Sequence, residues 1–341
     1  MNHHTGAPAG GTSRRRLLRN AALGGTAFAA ASLLPAQAAS ATPAGRRVRQ
    51  VAGVDVVVDV SHASPDVAVR LGKFFQHKSD RDVDGTMSFF CPHPLTYIDA
   101  TLGWSWYAWD DLRTSLSQFM PSWPADGASY PVRILGDLTS AVVFFTDTAG
   151  LFGPSEIQAV GAVNFQHGLI ARQVDYWDGR HFGTANLVGK QQPADQFPTD
   201  FGESTVGETA APVMRQVARR LAETLRKGDG AAAAEMFAPA ALFEDVPAHL
   251  RITGPRSIGA FLTGASSALP YAGAGTTVRH VLGNDVGGGY EWTSADSLVP
   301  RGVIGLELDR WHRITRFTAM WDGSLVDDSA LISFGRMAVE R

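Results

Sequence analysis

Asp147 stands where an apolar predicted strand ends, a position at which a carboxyl group could do acid–base chemistry. It follows the run 141–146, and in an extended strand it shares a face with Phe145. A carboxylate at the end of an apolar face is poorly solvated, and desolvation raises the pKa of a carboxyl group. The position predicts a proton available near neutral pH, although an aspartate that ends a strand can also be a solvated turn residue.

Two further aspartates occupy similar positions on other predicted strands. Asp175 lies two residues before Trp177 and shares its strand face, and Asp99 ends the short run that begins at Tyr97. If these strands converge, one protonated and one ionised carboxyl group can serve as acid and base. Such a site needs neither a metal nor a cofactor, and the histidines show no spacing typical of a metal site.

A dense aromatic segment lies between Asp99 and the next predicted helix. It contains Trp104, Trp106, Tyr107 and Trp109. These side chains could line the mouth of an apolar pocket and bind substrate, or they could pack between two domains. The sequence leaves both interpretations open.

The N-terminus carries an export signal. Residues 13–19 read Ser-Arg-Arg-Arg-Leu-Leu-Arg, which is similar to the twin-arginine motif, and an apolar stretch at 21–34 and small residues follow. The apolar stretch is too short for a stable membrane anchor. We expect residues 1–41 to be a signal peptide and the mature protein to be secreted or extracytoplasmic. A single cysteine, Cys91, allows no internal disulfide.

The rest of the chain repeats one order of signals. Each copy begins with a predicted helix, at 66–77 and at 212–227, and a shorter helix and a run of strands follow. Matched segments occur in the same order in both copies: Tyr97-Ile98-Asp99 with Phe243-Glu244-Asp245, Val132-Arg133-Ile134-Leu135-Gly136 with Arg279-His280-Val281-Leu282-Gly283, and Trp177-Asp178-Gly179 with Trp321-Asp322-Gly323. An ordered series of this kind indicates an internal duplication.

Helices followed by antiparallel-type strands favour an α+β fold. The order resembles the nuclear-transport-factor-2-like superfamily, which includes SnoaL-like cyclases, ketosteroid isomerase, scytalone dehydratase and limonene epoxide hydrolase. The resemblance implies two tandem cone-shaped domains, each a curved mixed or antiparallel sheet wrapped around N-terminal helices. We predict a first domain at 42–184 with an N-terminal extension, a linker at 185–211 and a second domain at 212–341.

The resemblance to the limonene epoxide hydrolases also implies site residues. Asp147 and Asp175 match their two catalytic aspartates, and Tyr97 and Asp99 match their water-binding tyrosine and asparagine. Phe145 stands where those enzymes have an arginine, and this puts epoxide hydrolysis in doubt. We therefore consider Arg133 or Arg172 as substitute cations. Trp104, Trp106, Trp109, Phe145, Trp177 and Arg133 complete the expected substrate-binding set.

The second copy is poorer in such groups. Ser294 falls near the position of Asp147 and Ala319 at that of Asp175, and only Asp245 persists. We read this copy as a structural partner or a second binding pocket.

These features give three hypotheses for function. The favoured one is an exported, cofactor-free acid–base enzyme that isomerises, cyclises, dehydrates or opens the epoxide of a hydrophobic small molecule. The alternatives are a non-catalytic binding protein for an apolar ligand and an interaction module that forms a homodimer through its sheet faces. A net charge of −3, with no basic run after the first fifty residues, argues against a nucleic-acid partner.

Overall fold

The structure is a computed structural model of the chain and describes residues 45–51 and 54–339. The signal peptide predicted for residues 1–41 lies outside the described residues. Within those two ranges, no helix combines the length and the apolar character needed to cross a membrane.

The first half contains eight strands and four α-helices. In chain order they are β1 (Arg46–Val51), β2 (Val54–Ala63), α1 (Pro65–Ser79), α2 (Val83–Met87), β3 (Thr96–Asp99), β4 (Trp104–Trp106), α3 (Trp109–Phe119), β5 (Ser129–Gly136), β6 (Ser140–Asp147), β7 (Ile157–Gln166), β8 (Leu169–Trp177) and α4 (Thr184–Val188). Short 3-10 helices occupy Met120–Ser122 and Gly179–Phe182.

The second half repeats most of this order. It contains α5 (Pro212–Arg226), α6 (Gly230–Ala234), β9 (Phe237–Asp245), β10 (Leu250–Thr253), α7 (Pro255–Ala265), β11 (Thr276–Gly283), β12 (Gly287–Ser294), β13 (Arg301–Leu308), β14 (Ile314–Trp321) and α8 (Asp328–Met337). A 3-10 helix lies at Gly323–Leu325.

The strands form two mixed sheets with one shared order. The first sheet runs β1-β2-β5-β6-β7-β8-β3-β4, and the second runs β10-β9-β14-β13-β12-β11. Read from β4 to β5, the first sheet has the same order as the second, with β1 and β2 added at one edge. In both, the strand that ends in Asp99 or Asp245 pairs in parallel with the last strand of its half. The expected α+β class with two sheets is confirmed.

Helix α1 begins at Pro65, as the sequence predicts, because proline needs no hydrogen-bond acceptor in the first turn. Its buried face contains Leu71, Phe74, Phe75 and Lys78. These positions recur at the spacing of one helical face, so Lys78 is directed into the interior together with the aromatic residues.

Alternation along each strand gives the sheets an inner and an outer face. In β8, Asp175 and Trp177 face the helices of the first half, whereas Arg172 and Tyr176 face the second sheet. The two outer faces pack together. Within this contact Arg172 forms an ion pair with Glu291 at 2.7 Å, and the Tyr176 hydroxyl donates to the same carboxylate at 2.7 Å. The contact between sheets therefore contains a buried polar network.

The segment 185–211, expected to be a linker, is packed against the rest of the protein. After α4 it contains neither helix nor strand. Even so, Phe201, Val206 and Ala210 are buried, and the Phe201 carbonyl accepts a hydrogen bond from Arg172 Nε at 2.6 Å. A few isolated buried residues thus hold this segment against the protein, although it has no apolar periodicity.

Candidate active site

A cavity of about 380 Å³ lies inside the first half, between the inner face of the sheet and the helices. One part of its wall carries the ionisable residues Lys78, Tyr97, Asp99, Asp147 and Asp175, and a sixth ionisable residue, Lys190, also lines the cavity. Most of the remaining wall is apolar, and its aromatic members are Trp104, Trp106, Phe119, Phe145, Phe152, Trp177 and Phe182. The structure thus brings together all four residues predicted to be catalytic.

Asp175 is held by donors on two neighbouring side chains. The Tyr97 hydroxyl donates to its Oδ2 at 2.7 Å, and Gln173 Nε2 donates to its two oxygens at 3.0 and 3.2 Å. Burial raises the pKa of Asp175, and the nearby Lys78 and the hydrogen bonds offset part of that rise. Burial, with Asp175 beside it, also raises the pKa of Tyr97. Asp175 is therefore a fixed carboxyl group with increased basicity.

Gly161 provides the space that Asp175 occupies. The two residues are paired across β7 and β8. A Cβ added to Gly161 would lie 2.9 Å from Asp175 Oδ1 and 3.0 Å from Val143 Cγ1. A Cβ at position 161 would therefore force the Asp175 carboxyl group to shift.

Asp147 forms an ion pair with Lys78. Lys78 Nζ donates to Asp147 Oδ1 at 3.3 Å, and both side chains are more than nine-tenths buried. The ammonium group also lies over the rings of Phe145 and Phe152, 5.1 and 5.5 Å from their centroids. Contacts of this kind stabilise a cation that has little water around it.

Lys78 is not among the site residues predicted from the sequence, although the sequence contains a signal for it. Lys78 occupies an apolar-face position of α1, one turn after Phe74 and Phe75. A charged residue at such a position either reaches the surface or has a buried partner. Lys78 supplies the cation for which we considered Arg133 and Arg172.

Those two arginines lie elsewhere, and the expectation for them was wrong. Both project from the outer face of the first sheet, opposite to the cavity. Arg133 donates to Glu307 Oε1 at 2.8 Å and to Thr318 Oγ1 at 2.9 Å, and Arg172 pairs with Glu291. Strand alternation explains this, because Arg133 precedes the inward-facing Ile134.

The tryptophans of the aromatic segment take two places, the cavity wall and the core of the first half. Trp104 and Trp106 line the cavity, and Trp104 stacks on Phe119 with ring centroids 6.2 Å apart. Trp109 does not line it. Its Nε1 donates to the Met87 carbonyl at 3.3 Å, and its ring packs against the apolar core, so its expected place in the substrate-binding set is corrected.

Asp99 also lines the cavity, but its hydrogen-bond partners differ from those of Asp147 and Asp175. Trp177 Nε1 donates to its Oδ2 at 3.0 Å, and the backbone N–H groups of Thr101 and Leu102 donate to its Oδ1 at 3.0 and 2.8 Å. Burial raises the pKa of Asp99 to about 7. The hydrogen bonds from the Trp177 indole and from the backbone of Thr101 and Leu102 lower this pKa, but they offset only part of the rise.

The second half repeats this contact. Trp321 Nε1 donates to Asp245 Oδ1 at 3.0 Å, and the Ala248 N–H donates to the same oxygen at 3.0 Å. Burial raises the pKa of Asp245 to about 6. The shared tryptophan–aspartate bond ties the last strand of each half to its parallel neighbour, and this points to a structural role for Asp99.

Lys78, Tyr97, Asp147 and Asp175 have no ionisable counterpart at the equivalent positions of the second half. Ala319 pairs with Asp245 as Asp175 pairs with Asp99, and Ser294 pairs with Thr276 as Asp147 pairs with Ser129. Three more positions follow from the same correspondence: Phe243 for Tyr97, Ile304 for Gly161 and Leu225 for Lys78. Leu225 and Lys78 are each the second-last residue of a 15-residue helix that begins with proline.

Within residues 45–51 and 54–339, no three His, Cys, Asp or Glu side chains are grouped so that they could hold a metal ion.

No protein-family model and no curated protein matches this chain. Similar solved structures include an uncharacterised protein with a cystatin-like fold from Silicibacter pomeroyi, which is 15% identical with a TM-score of 0.30 and covers 37% of this chain and 85% of its own. A steroid delta-isomerase from Pseudomonas aeruginosa is 14% identical with a TM-score of 0.30 and covers 39% of this chain and 93% of its own. A SnoaL-like protein of unknown function from Burkholderia thailandensis is 13% identical with a TM-score of 0.28 and covers 32% and 93%. Proteins described as NTF2-like recur among these neighbours.

Proposed function

We propose that this protein is a cofactor-free acid–base enzyme that relocates a proton on a hydrophobic small molecule bound in the first half. One observation carries the proposal. Lys78, Tyr97, Asp147 and Asp175 converge on an apolar cavity, while the second half has Leu225, Phe243, Ser294 and Ala319 at the equivalent positions. Because the same architecture forms without these groups, folding does not account for burying them.

Asp175 is the base in this proposal. Tyr97 and Gln173 fix its carboxyl group, and its raised pKa makes its ionised form a stronger acceptor of a substrate C–H proton. The carboxyl group then returns the same proton to another carbon, so the C–H bond that breaks and the C–H bond that forms balance. Isomerisation proceeds in this way. In an aldol-type cyclisation the carbanion carbon instead forms a C–C bond with a second carbonyl carbon of the same molecule, and the proton passes to the oxygen of that carbonyl group.

Lys78 and Asp147 form the electrophilic part of the site. Removing a proton beside a carbonyl group places negative charge on the carbonyl oxygen, and a fixed cation in an apolar cavity stabilises that charge. The Lys78 ammonium group is such a cation, and Asp147 positions it at 3.3 Å. Since Lys78 replaces the missing arginine, the residue at position 145 is no longer an argument against epoxide opening. The raised pKa of Asp175 still favours proton relocation.

Deuterium exchange tests the proposal without knowledge of the natural substrate. Apolar cyclic ketones such as tetralones are incubated with the protein in D₂O, and exchange beside the carbonyl group is followed by NMR. We expect Asp175→Asn to lower the catalysed rate by about 10²–10⁴-fold, the usual contribution of a positioned base. Asp245→Asn is the matched control in the second half and should leave the rate within about twofold of that of the unmodified protein.

Three results would contradict the proposal. Full exchange by Asp175→Asn, or an equal loss in Asp245→Asn, would exclude Asp175 as the base. Ketones that bind but do not exchange would favour the binding-protein hypothesis instead.

We further propose that the chain is exported through the twin-arginine route, on the basis of Arg14 and Arg15 in the N-terminal motif. A paired guanidinium signal is not reproduced by two lysines. Replacing both arginines by lysine should retain the precursor in the cytoplasm, and unchanged secretion would exclude this route.

A further inference from the structure

A second cavity, of about 470 Å³, adjoins the first at its aromatic mouth. The two share Trp104, Trp106, Ser115 and Phe119 in their walls. The outer one, here called the outer groove, is completed by Gly103, Ser105, Gln118, Gln192 and Gln196. A ligand that fills the inner cavity and extends past Trp104 and Trp106 would enter the outer groove.

The chemistry of the outer groove differs from that of the inner cavity. Its wall has hydroxyl and amide side chains, and none of its nine residues carries a formal charge. Trp106 Nε1 donates to Ser115 Oγ at 2.7 Å, which leaves the Ser115 O–H free to donate to a ligand. An amide side chain offers both donors and acceptors, so the groove suits an uncharged group that carries several hydroxyls.

The part of the wall that carries Gln192 is fixed in place. Trp104 Nε1 donates to the Lys190 carbonyl at 2.9 Å, and the Gln192 N–H donates to the Leu102 carbonyl at 2.8 Å. Gln191 Nε2 also donates to the Thr101 carbonyl at 3.1 Å. These bonds attach the segment after α4 to the β3–β4 hairpin, so the groove exists before a ligand arrives.

We propose that the substrate has two parts, an apolar part that reacts in the inner cavity and an uncharged, hydroxyl-rich part, such as a sugar, that binds in the outer groove. This inference rests on the proposed function for the identity of the reacting part. The rings of Trp104 and Trp106 offer apolar surface at the mouth, and the amides of Gln118, Gln192 and Gln196 bind the hydroxyls. Substrate specificity then depends on residues that take no part in proton transfer.

Three probes with one apolar body test the inference: 4-methylumbelliferone, its β-D-glucoside and its sulfate. Dissociation constants are measured by calorimetry. We expect the glucoside to bind about tenfold more tightly than the free coumarin, as one or two net hydrogen bonds would give. The sulfate should not share this gain, because the groove contains no cation to pair with it.

A triple variant, Gln118→Ala with Gln192→Ala and Gln196→Ala, should abolish the advantage of the glucoside and leave binding of the free coumarin unchanged. Gln158→Ala is the matched control, since Gln158 is exposed and lies outside the groove. Equal binding of glucoside and coumarin, tighter binding of the sulfate, a triple variant that keeps the difference, or no binding of any probe would each overturn the inference. The outcome of these binding experiments does not affect the Asp175→Asn exchange experiment, so the proposed function and this inference can be refuted independently of each other.

Discussion

Replacing Lys78 by leucine should destabilise the protein by about 3 kcal/mol, because it leaves the Asp147 carboxylate buried without its partner. At 3.3 Å the two charges attract by about 5 kcal/mol for an effective dielectric constant of about 20, and burial of both ions opposes most of that. Removing one partner of a buried pair costs about 3–5 kcal/mol. We expect the lower end, since both side chains line a cavity that water can enter.

The second half of the chain suggests a second substitution that should restore the stability lost in Lys78→Leu. Leu225 and Ser294 occupy the positions of Lys78 and Asp147 there, in the same architecture. The double variant Lys78→Leu with Asp147→Ser should therefore lie within about 1 kcal/mol of the unmodified protein, because a pair removed as a unit leaves no unpaired charge.

Urea unfolding, followed by fluorescence, of the two single variants and the double variant gives the coupling free energy. We expect about 5 kcal/mol between the two sites, because each single variant should lose about 3 kcal/mol and the double variant no more than about 1 kcal/mol. Single variants that lose less than about 0.5 kcal/mol, or effects that simply add, would show that the pair is solvated. The reasoning about an electrophilic Lys78 would then lose its basis.

Two further perturbations test other parts of the site. Gly161→Ala places a methyl group against the Asp175 carboxyl, so it should lower ketone exchange at least tenfold and cost about 1–3 kcal/mol of stability by overpacking. Gly72→Ala in α1, where a Cβ meets no atom within 4 Å, is its control and should be neutral or slightly stabilising; equal losses in both variants would refute the packing argument. The raised pKa of Asp99, about 7 in the folded state, means that the folded protein keeps a proton that the unfolded chain loses near pH 4, so stability should fall as pH rises from about 4 to 7. In Asp99→Asn, the fall of the melting temperature with rising pH should be less steep. Asp245 should still contribute to that fall up to about pH 6. A variant in which the fall is unchanged would contradict the raised pKa of Asp99.

The repeat in the sequence predicted more of the fold than any single motif. Asp99 and Asp245 occupy equivalent places, and so do Trp177 and Trp321. The same indole-to-carboxylate bond joins Trp177 to Asp99 and Trp321 to Asp245. These positions could be predicted because local segments recur in a fixed order. Helix and strand bounds differ from those predicted by a few residues, as expected where hydrogen bonding and not composition ends an element.

Contacts between distant segments could not be predicted in the same way. The burial of Phe201 depends on the outer face of the first sheet, which no pattern within 185–211 indicates. The sequence indicates the strand of Arg133 but not the face of the sheet to which its side chain projects. A register shift just before Arg133 disturbs the alternation of inward and outward side chains along this strand. Lys78 lies on a helix that the sequence predicts, but its role becomes visible only when each charged residue of that helix is placed on the buried or the exposed face.

A raised pKa alone would have selected the wrong carboxyl group as the centre of the site. Asp99 has the clearest value, about 7, yet its indole and backbone contacts recur at Asp245, in a half that lacks the other polar groups. Burial that a fold imposes twice is better explained by structure than by catalysis. Asp175 is different, because its donors Tyr97 and Gln173 and the glycine that makes room for it are replaced by Phe243, Phe317 and Ile304 at the equivalent positions of the second half. Comparison of the two halves, and not titration, therefore identifies Asp175 as the group to test first.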